Sequence, residues 1–146
     1  MPNVKCEDYL DCCLYFVGNT LSRVITKMTE EVFMPTGLAP SYAFLLMIVN
    51  ESDGITQNEL ADKLNISPST VSRFLDKLIV KKLVEKKIDG KATVVLKTKK
   101  SLELQPIIKA SWKNLYQRYS EILGDDFAMQ LTKDMAKANQ MLKSID

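Results

Sequence analysis

The chain contains no histidine. That absence alone removes Ser-His-Asp and Cys-His catalysis and every zinc site that needs an imidazole ligand. Glycine is sparse and scattered, at Gly18, Gly37, Gly54, Gly90 and Gly124, so no glycine-rich loop is available to cradle a phosphate. Cysteine is scarce and odd in number: Cys6, Cys12 and Cys13 do not make the disulfide framework of a small secreted domain. Long apolar runs are missing too. The longest, Tyr42–Val49, falls far short of the roughly 20 residues that cross a bilayer. Glu7, Asp8 and Asp11 near the start carry the wrong charge for a secretory signal peptide. No low-complexity tract and no internal repeat is present. The expectation is a cytoplasmic protein without cofactor or metal. No constellation reads as an active site, so an enzyme is not expected.

What is there belongs to an ordinary globular chain. With 46% apolar and 26% charged residues the composition sits near the globular average and does not indicate disorder. A chain of this length buries roughly 70% of its unfolded surface, enough for a real core. The net charge of +2 says little, but its distribution says more. Residues 67–100 hold ten basic side chains (Arg73, Lys77, Lys81, Lys82, Lys86, Lys87, Lys91, Lys97, Lys99 and Lys100) against Asp76, Glu85 and Asp89. That segment is +7 and the remainder −5. A basic third on an otherwise acidic chain is the electrostatic footprint of a polyanion binder.

Apolar spacing organises the rest. Leu10, Leu14, Val17, Leu21, Val24, Met28 and Val32 recur at steps of three and four and predict a long amphipathic helix from about Glu7 to Phe33. Pro35 and Gly37 end it, and Pro40 opens a second helix through about Ile48. Thr56 and Glu59 have the spacing of a capping box for a short third helix that stops near Asn65, a residue that tolerates a left-handed turn. Ser67 then caps a fourth helix with Pro68 in its first position. Its apolar stripe is Val71, Phe74, Leu75 and Leu78, which turns Ser69, Thr70, Ser72, Arg73 and Lys77 outward. Two short helices joined by so tight a turn form a helix-turn-helix. The period changes after Leu83. Val84–Ile88 and Thr93–Lys97 are β-branched and lysine-rich, separated by Asp89-Gly90, a hairpin signal. Helical spacing returns at Leu104, Ile107, Ile108, Trp112, Leu115, Tyr119 and Ile122, is interrupted at Gly124-Asp125, and resumes through Phe127, Leu131, Met135, Ala138 and Leu142.

Three stretches carry a family likeness: Gly37 to Leu46 (GLAPSYAFLL), Thr56 to Leu64 (TQNELADKL) and Ser67 to Leu78 (SPSTVSRFLDKL). With this element order the chain resembles the MarR family of winged helix-turn-helix transcriptional regulators. The resemblance implies a mainly α fold with a small β-hairpin wing. Residues 37–99 would form the winged helix-turn-helix, and residues 1–36 and 100–146 a helical dimerisation region. It implies a homodimer on double-stranded DNA at a pseudo-palindromic operator, a repressor released by a small aromatic or anionic effector. The chain departs from the family pattern at two points. Lys82 stands where glycine is common after the recognition helix, and Lys91 where the wing often has arginine.

Within this frame Arg73 is expected to contact a base, since arginine on guanine is the commonest specific contact. Ser67, Ser69, Thr70, Ser72 and Lys77 are expected to position phosphates, with Lys86, Lys87 and Lys91 as the wing's backbone contacts. Tyr15, Arg23, Tyr42, Trp112 and Tyr116 are candidates for the effector pocket. Cys13 is the candidate for redox sensing, ahead of Cys12 and Cys6. Two rival readings stand beside the leading one. One is a winged-helix protein-interaction module without DNA binding. The other is a cysteine-based protein using Cys13, as a redox sensor or thiol peroxidase.

Overall fold

The computed structural model describes residues 10–144. Its helices are α1 (Leu14–Val32), α2 (Pro40–Asn50), α3 (Gln57–Leu64), α4 (Pro68–Val80), α5 (Lys99–Leu123) and α6 (Asp125–Lys143). Its strands are β1 (Ile55–Thr56), β2 (Val84–Asp89) and β3 (Ala92–Lys97). No helix among the described residues is long and apolar enough to cross a membrane.

The first helix is shorter than its apolar stripe predicts. Residues Glu7 to Tyr9 lie outside the described residues, and Leu10–Cys12 form a turn. The helix begins only after Cys13, whose backbone is extended and whose carbonyl accepts the Val17 N–H at 2.9 Å. Spacing marks an apolar face; it does not mark where helical hydrogen bonding starts. The far end of α1 packs into the protein through Met28 and Val32. A single 3₁₀ turn (Met34–Thr36) then leads to Gly37, whose φ of 70° reverses the chain before Pro40 starts α2.

The core is continuous from that reversal to the wing. Phe33, Leu45, Leu46 and Val49 pack with Leu60, Val71, Leu75 and Leu78, closed by Val84 and Val95 from the sheet and Ile108 from α5. Each such side chain contributes about 1.5–3 kcal/mol through burial. Leu75 and Leu78 in this core fix which face α4 hides, and so which face it shows.

Local chemistry sets the helix-turn-helix. The Thr56 hydroxyl accepts the Glu59 N–H at 3.1 Å, the first half of the expected capping box; the return bond is not formed among the described residues. Asn65 adopts φ 56° and ψ 40°, the left-handed stop, and the Ser67 hydroxyl accepts the Thr70 N–H at 3.2 Å. A complete reciprocal box forms elsewhere. At the start of α5, Thr98 Oγ1 accepts from Ser101 N and Ser101 Oγ accepts from Thr98 N.

The sheet has the order β1-β3-β2, all antiparallel. Strand β1 escaped the sequence reading because two residues are too few to alternate. Asp89 pairs with Ala92, so the hairpin's two loop residues are Gly90 and Lys91 rather than Asp89 and Gly90. With φ 62° at Gly90, the first central position is the one that requires glycine, as in a type II′ turn.

Helix α4 ends in a Schellman motif, with Leu83 N–H to Leu78 O and Lys82 N–H to Ile79 O, both 2.9 Å. Lys82 is the left-handed residue of that motif, at φ 60°. A side chain there costs about 1 kcal/mol relative to glycine. Lys82→Gly is therefore expected to raise the melting temperature by about 3 °C at equal protein concentration, measured by calorimetry. An unchanged or lower value would show that the lysine side chain recovers the strain.

Candidate nucleic-acid interface

The N-terminal half of α4 presents a polar surface rich in hydroxyls. Ser67 Oγ lies 3.1 Å from Ser69 Oγ and 2.8 Å from Thr70 Oγ1, a hydroxyl cluster over the first helical turn. Free N–H groups and the helix dipole favour an anion at such an end. Arg73 is exposed one turn further on, its Nη2 donating to Thr70 Oγ1 at 3.4 Å. It forms no ion pair among the described residues. Ser69 and Lys77 are exposed, while Thr70 and Ser72 are half-buried. The Lys77 ammonium sits 6.0 Å from the centroid of the Tyr42 ring, which itself stacks on Phe74 at 4.8 Å. Lys77 thus leans toward α2.

An ion pair links the wing to this helix. Lys86 makes an ion pair of 3.6 Å with Asp76 of α4, and its side chain is mostly covered. Asp76 is largely exposed, so the pair marks where the hairpin meets α4 and adds little stability. Asp76 therefore neutralises Lys86 and leaves Arg73 free. Lys87 and Lys91 are exposed.

The basic segment does not form one patch. Lys82, Lys86, Lys99 and Lys100 line a cleft of about 560 Å³ at the base of the wing, with Glu85 and Thr98. Lys100 Nζ donates to Lys81 O at 3.0 Å, and Lys97 pairs with Asp53 at 3.5 Å. Helix α4 is about 20 Å long, and the cleft lies at its far end from Ser67. Sequence adjacency groups these lysines with the wing; the length of the helix separates them from its N-terminal end.

The aromatic candidates do not share a cavity in the single chain. Tyr42 lines a cleft of about 240 Å³ with Gly37, Leu38, Lys77 and Lys81. Tyr15 stands exposed near the start of α1, Arg23 donates to Thr20 Oγ1 at 3.3 Å, and Trp112 and Tyr116 are exposed on α5. An apolar groove of about 440 Å³ lies instead between α1, α5 and α6, lined by Leu21, Ile25, Tyr119, Leu131 and Met135 among others. Burial, and secondly the neighbouring Tyr116, push the Tyr119 phenol above its usual pKa. Tyr119 belongs to the same stripe as Trp112, which was the available signal. Cys13 is half-buried at the N-cap of α1 and Cys12 is exposed beside it; Cys6 lies outside the described residues.

Residues 36–92 match the MarR family. The resemblance carried by the three sequence stretches is borne out over that segment, which holds all three. No curated protein matches the chain in sequence. Among solved structures, the transcriptional repressor CouR bound to a 23-mer DNA duplex is similar at TM-score 0.81 and 20% identity, covering 94% of this chain and 99% of that one. The MepR–DNA complex of S. aureus is similar at TM-score 0.75 and 20% identity, covering 90% and 98%. CouR from Rhodococcus jostii RHA1 bound to p-coumaroyl-CoA is similar at TM-score 0.75 and 20% identity, covering 86% and 91%. These likenesses bear out the expected fold, mainly helical with a small antiparallel wing. At such identity they speak to fold alone.

Proposed function

We propose that the protein is a cytoplasmic, homodimeric transcriptional repressor that reads a pseudo-palindromic operator through α4 and grips flanking phosphates with its wing. The observation that carries this reading is the exposed, unpaired Arg73 beside Ser67, Ser69 and Thr70 at the N-terminal end of α4. In helix-turn-helix proteins that end of the recognition helix enters the major groove. Ser67, Ser69, Thr70 and Ser72 fit phosphate positioning, and Lys77, Lys87 and Lys91 supply charge without reading sequence. Lys86, already paired with Asp76, supplies less free charge. The protein without DNA binding and the thiol-based protein find no comparable observation in their favour.

Release by a small effector belongs to the same reading. CouR has been solved both with DNA and with p-coumaroyl-CoA. Here the cleft beside Tyr42 offers a ring face flanked by Lys77 and Lys81, which suits an aromatic anion. Tyr15, Arg23, Trp112 and Tyr116 would join an effector site only if the second copy closes over them.

The test is Arg73→Ala against Lys91→Ala on DNA enriched by the purified protein. Arg73→Ala should lose about 1–3 kcal/mol on the best site and relax preference at one base-pair position. Lys91→Ala should weaken all sequences alike and lower the salt slope. If both variants change only the salt slope, Arg73 is a phosphate ligand and the base-contact assignment fails.

A further inference from the structure

Helix α5 starts at a buried polar joint whose bonds reach two other elements. Asn50, the last residue of α2, is 6% exposed, and Ser101 is fully buried. Asn50 Nδ2 donates to Ser101 O at 2.9 Å and to Gln105 Oε1 at 2.8 Å, while Ser101 Oγ lies 2.8 Å from Asn50 Oδ1 as donor. Ser101 is locked to Thr98 by the reciprocal capping box. Thr98 Oγ1 in turn donates to Lys82 O at 2.9 Å, and Lys100 Nζ to Lys81 O. One connected set of hydrogen bonds therefore runs from the end of α2, through the first turn of α5, to the end of recognition helix α4.

From these contacts we propose that Asn50 and Ser101 are positioning residues that set which separation of operator half-sites the protein accepts. The proposal rests on the dimeric DNA-binding reading above. Helix α5 leaves the joint toward α1 and α6, the helices with unpaired apolar faces. At about 37 Å in length, it converts a tilt of about 5° at the joint into about 3 Å at its far end. One base-pair step along DNA is about 3.4 Å. Small angular freedom here is thus enough to change the register between two reading heads.

The other ties between α2 and α5 do not fix that angle as well. Ile108 and Leu104 pack apolar surface, which is non-directional. The Lys109–Glu51 ion pair is 2.9 Å long, but both side chains are half exposed, and such pairs contribute little. The Asn50 amide, by contrast, uses both N–H groups and its carbonyl in fixed directions.

The experiment uses the full chain and an operator selected from random DNA, with its half-sites moved by one and two base pairs in either direction. Two base pairs rotate one half-site by about 70°, and the wild type should lose about hundredfold in affinity. Asn50→Leu should keep its dimer mass and its affinity for the best operator within about threefold, while the two-base-pair penalty falls to about tenfold or less. Ser101→Ala should move the profile in the same direction and decides the matter if Asn50→Leu fails to fold. Ser101→Thr, which keeps the hydroxyl, should restore the wild-type profile. Folded variants whose affinity changes by one factor at every spacing, or not at all, would overturn the proposal. Absence of wild-type binding at every spacing would remove the DNA reading itself, and this inference with it.

Discussion

Raising the salt concentration from about 50 to about 200 mM should weaken operator binding by roughly 10³–10⁵-fold. Each DNA phosphate neutralised by a lysine or arginine releases condensed counterions, so affinity falls as a power of salt concentration. The structure decides which cations count. In each chain Lys87 and Lys91 are exposed on the hairpin, Arg73 is exposed in the N-terminal half of α4, and Lys77 is exposed in its last turn. Lys86 is already paired with Asp76 and adds less. Doubled by a second protomer, this set neutralises about six to eight phosphates, within the range that gives so steep a dependence. Lys99 makes the internal control, because it lines the cleft at the far end of α4. Fluorescence anisotropy on a labelled operator should give a steep log–log slope that is lower in Lys87→Ala and unchanged in Lys99→Ala. A flat response of the wild type on any enriched sequence would remove the DNA reading. An equal effect of Lys87 and Lys99 would mean that the basic segment acts as one patch after all.

That division of charge marks the boundary of what the sequence discloses. Features governed by neighbours three or four residues away were legible: Ser67 and Pro68 at the start of α4, Asn65 as the left-handed stop, Gly124 between the last two helices. In each the physics is a cap or a backbone conformation, complete within one turn of chain. Features that need two distant segments were not. Asp76 and Lys86 meet because a hairpin folds back on a helix, and composition does not tell which acid a lysine chooses. Asn50 and Ser101 stand 51 residues apart, and each alone reads as an ordinary helix-end residue. The reciprocal box at Thr98 was hidden for a different reason. Serine replaces the expected Glu or Gln at its third position, because that hydroxyl also meets Asn50. The hairpin register missed by one residue since Asp-Gly and Gly-Lys both carry a turn, and cross-strand pairing chooses between them. Among the aromatics, helical spacing placed Trp112 and Tyr119 on one stripe but did not tell that Tyr119 is the one that faces the groove.

Light scattering at micromolar concentration should give twice the 16.5 kDa chain mass, and Met135→Asp should abolish that dimer and operator binding together. The single chain leaves much apolar surface uncovered along its long helices. Leu14, Val17 and Val24 on α1 are exposed, as are Phe127, Met135 and Leu142 on α6. The groove between α1, α5 and α6 remains open on this side, with Leu131 half-buried in its wall. Monomeric proteins rarely expose contiguous apolar patches larger than a few hundred Å². A second copy related by a two-fold axis offers the same stripes in return, and obligate interfaces of this kind bury about 2,000 Å² or more. Met135 is the better probe than Leu131 because it is already exposed in one chain, so a carboxylate there costs the monomer little. In the dimer each carboxylate is desolvated without a partner at about 2 kcal/mol or more, and symmetry imposes the cost twice. Dimerisation should weaken by about a thousandfold. DNA binding should follow, because only a pair of reading heads spans two half-sites about 34 Å apart. Circular dichroism separates this outcome from unfolding, since a dissociated but helical Met135→Asp protein is what the argument requires. A well-folded monomer that still bound a single operator tightly would refute the paired architecture while leaving the winged helix in place.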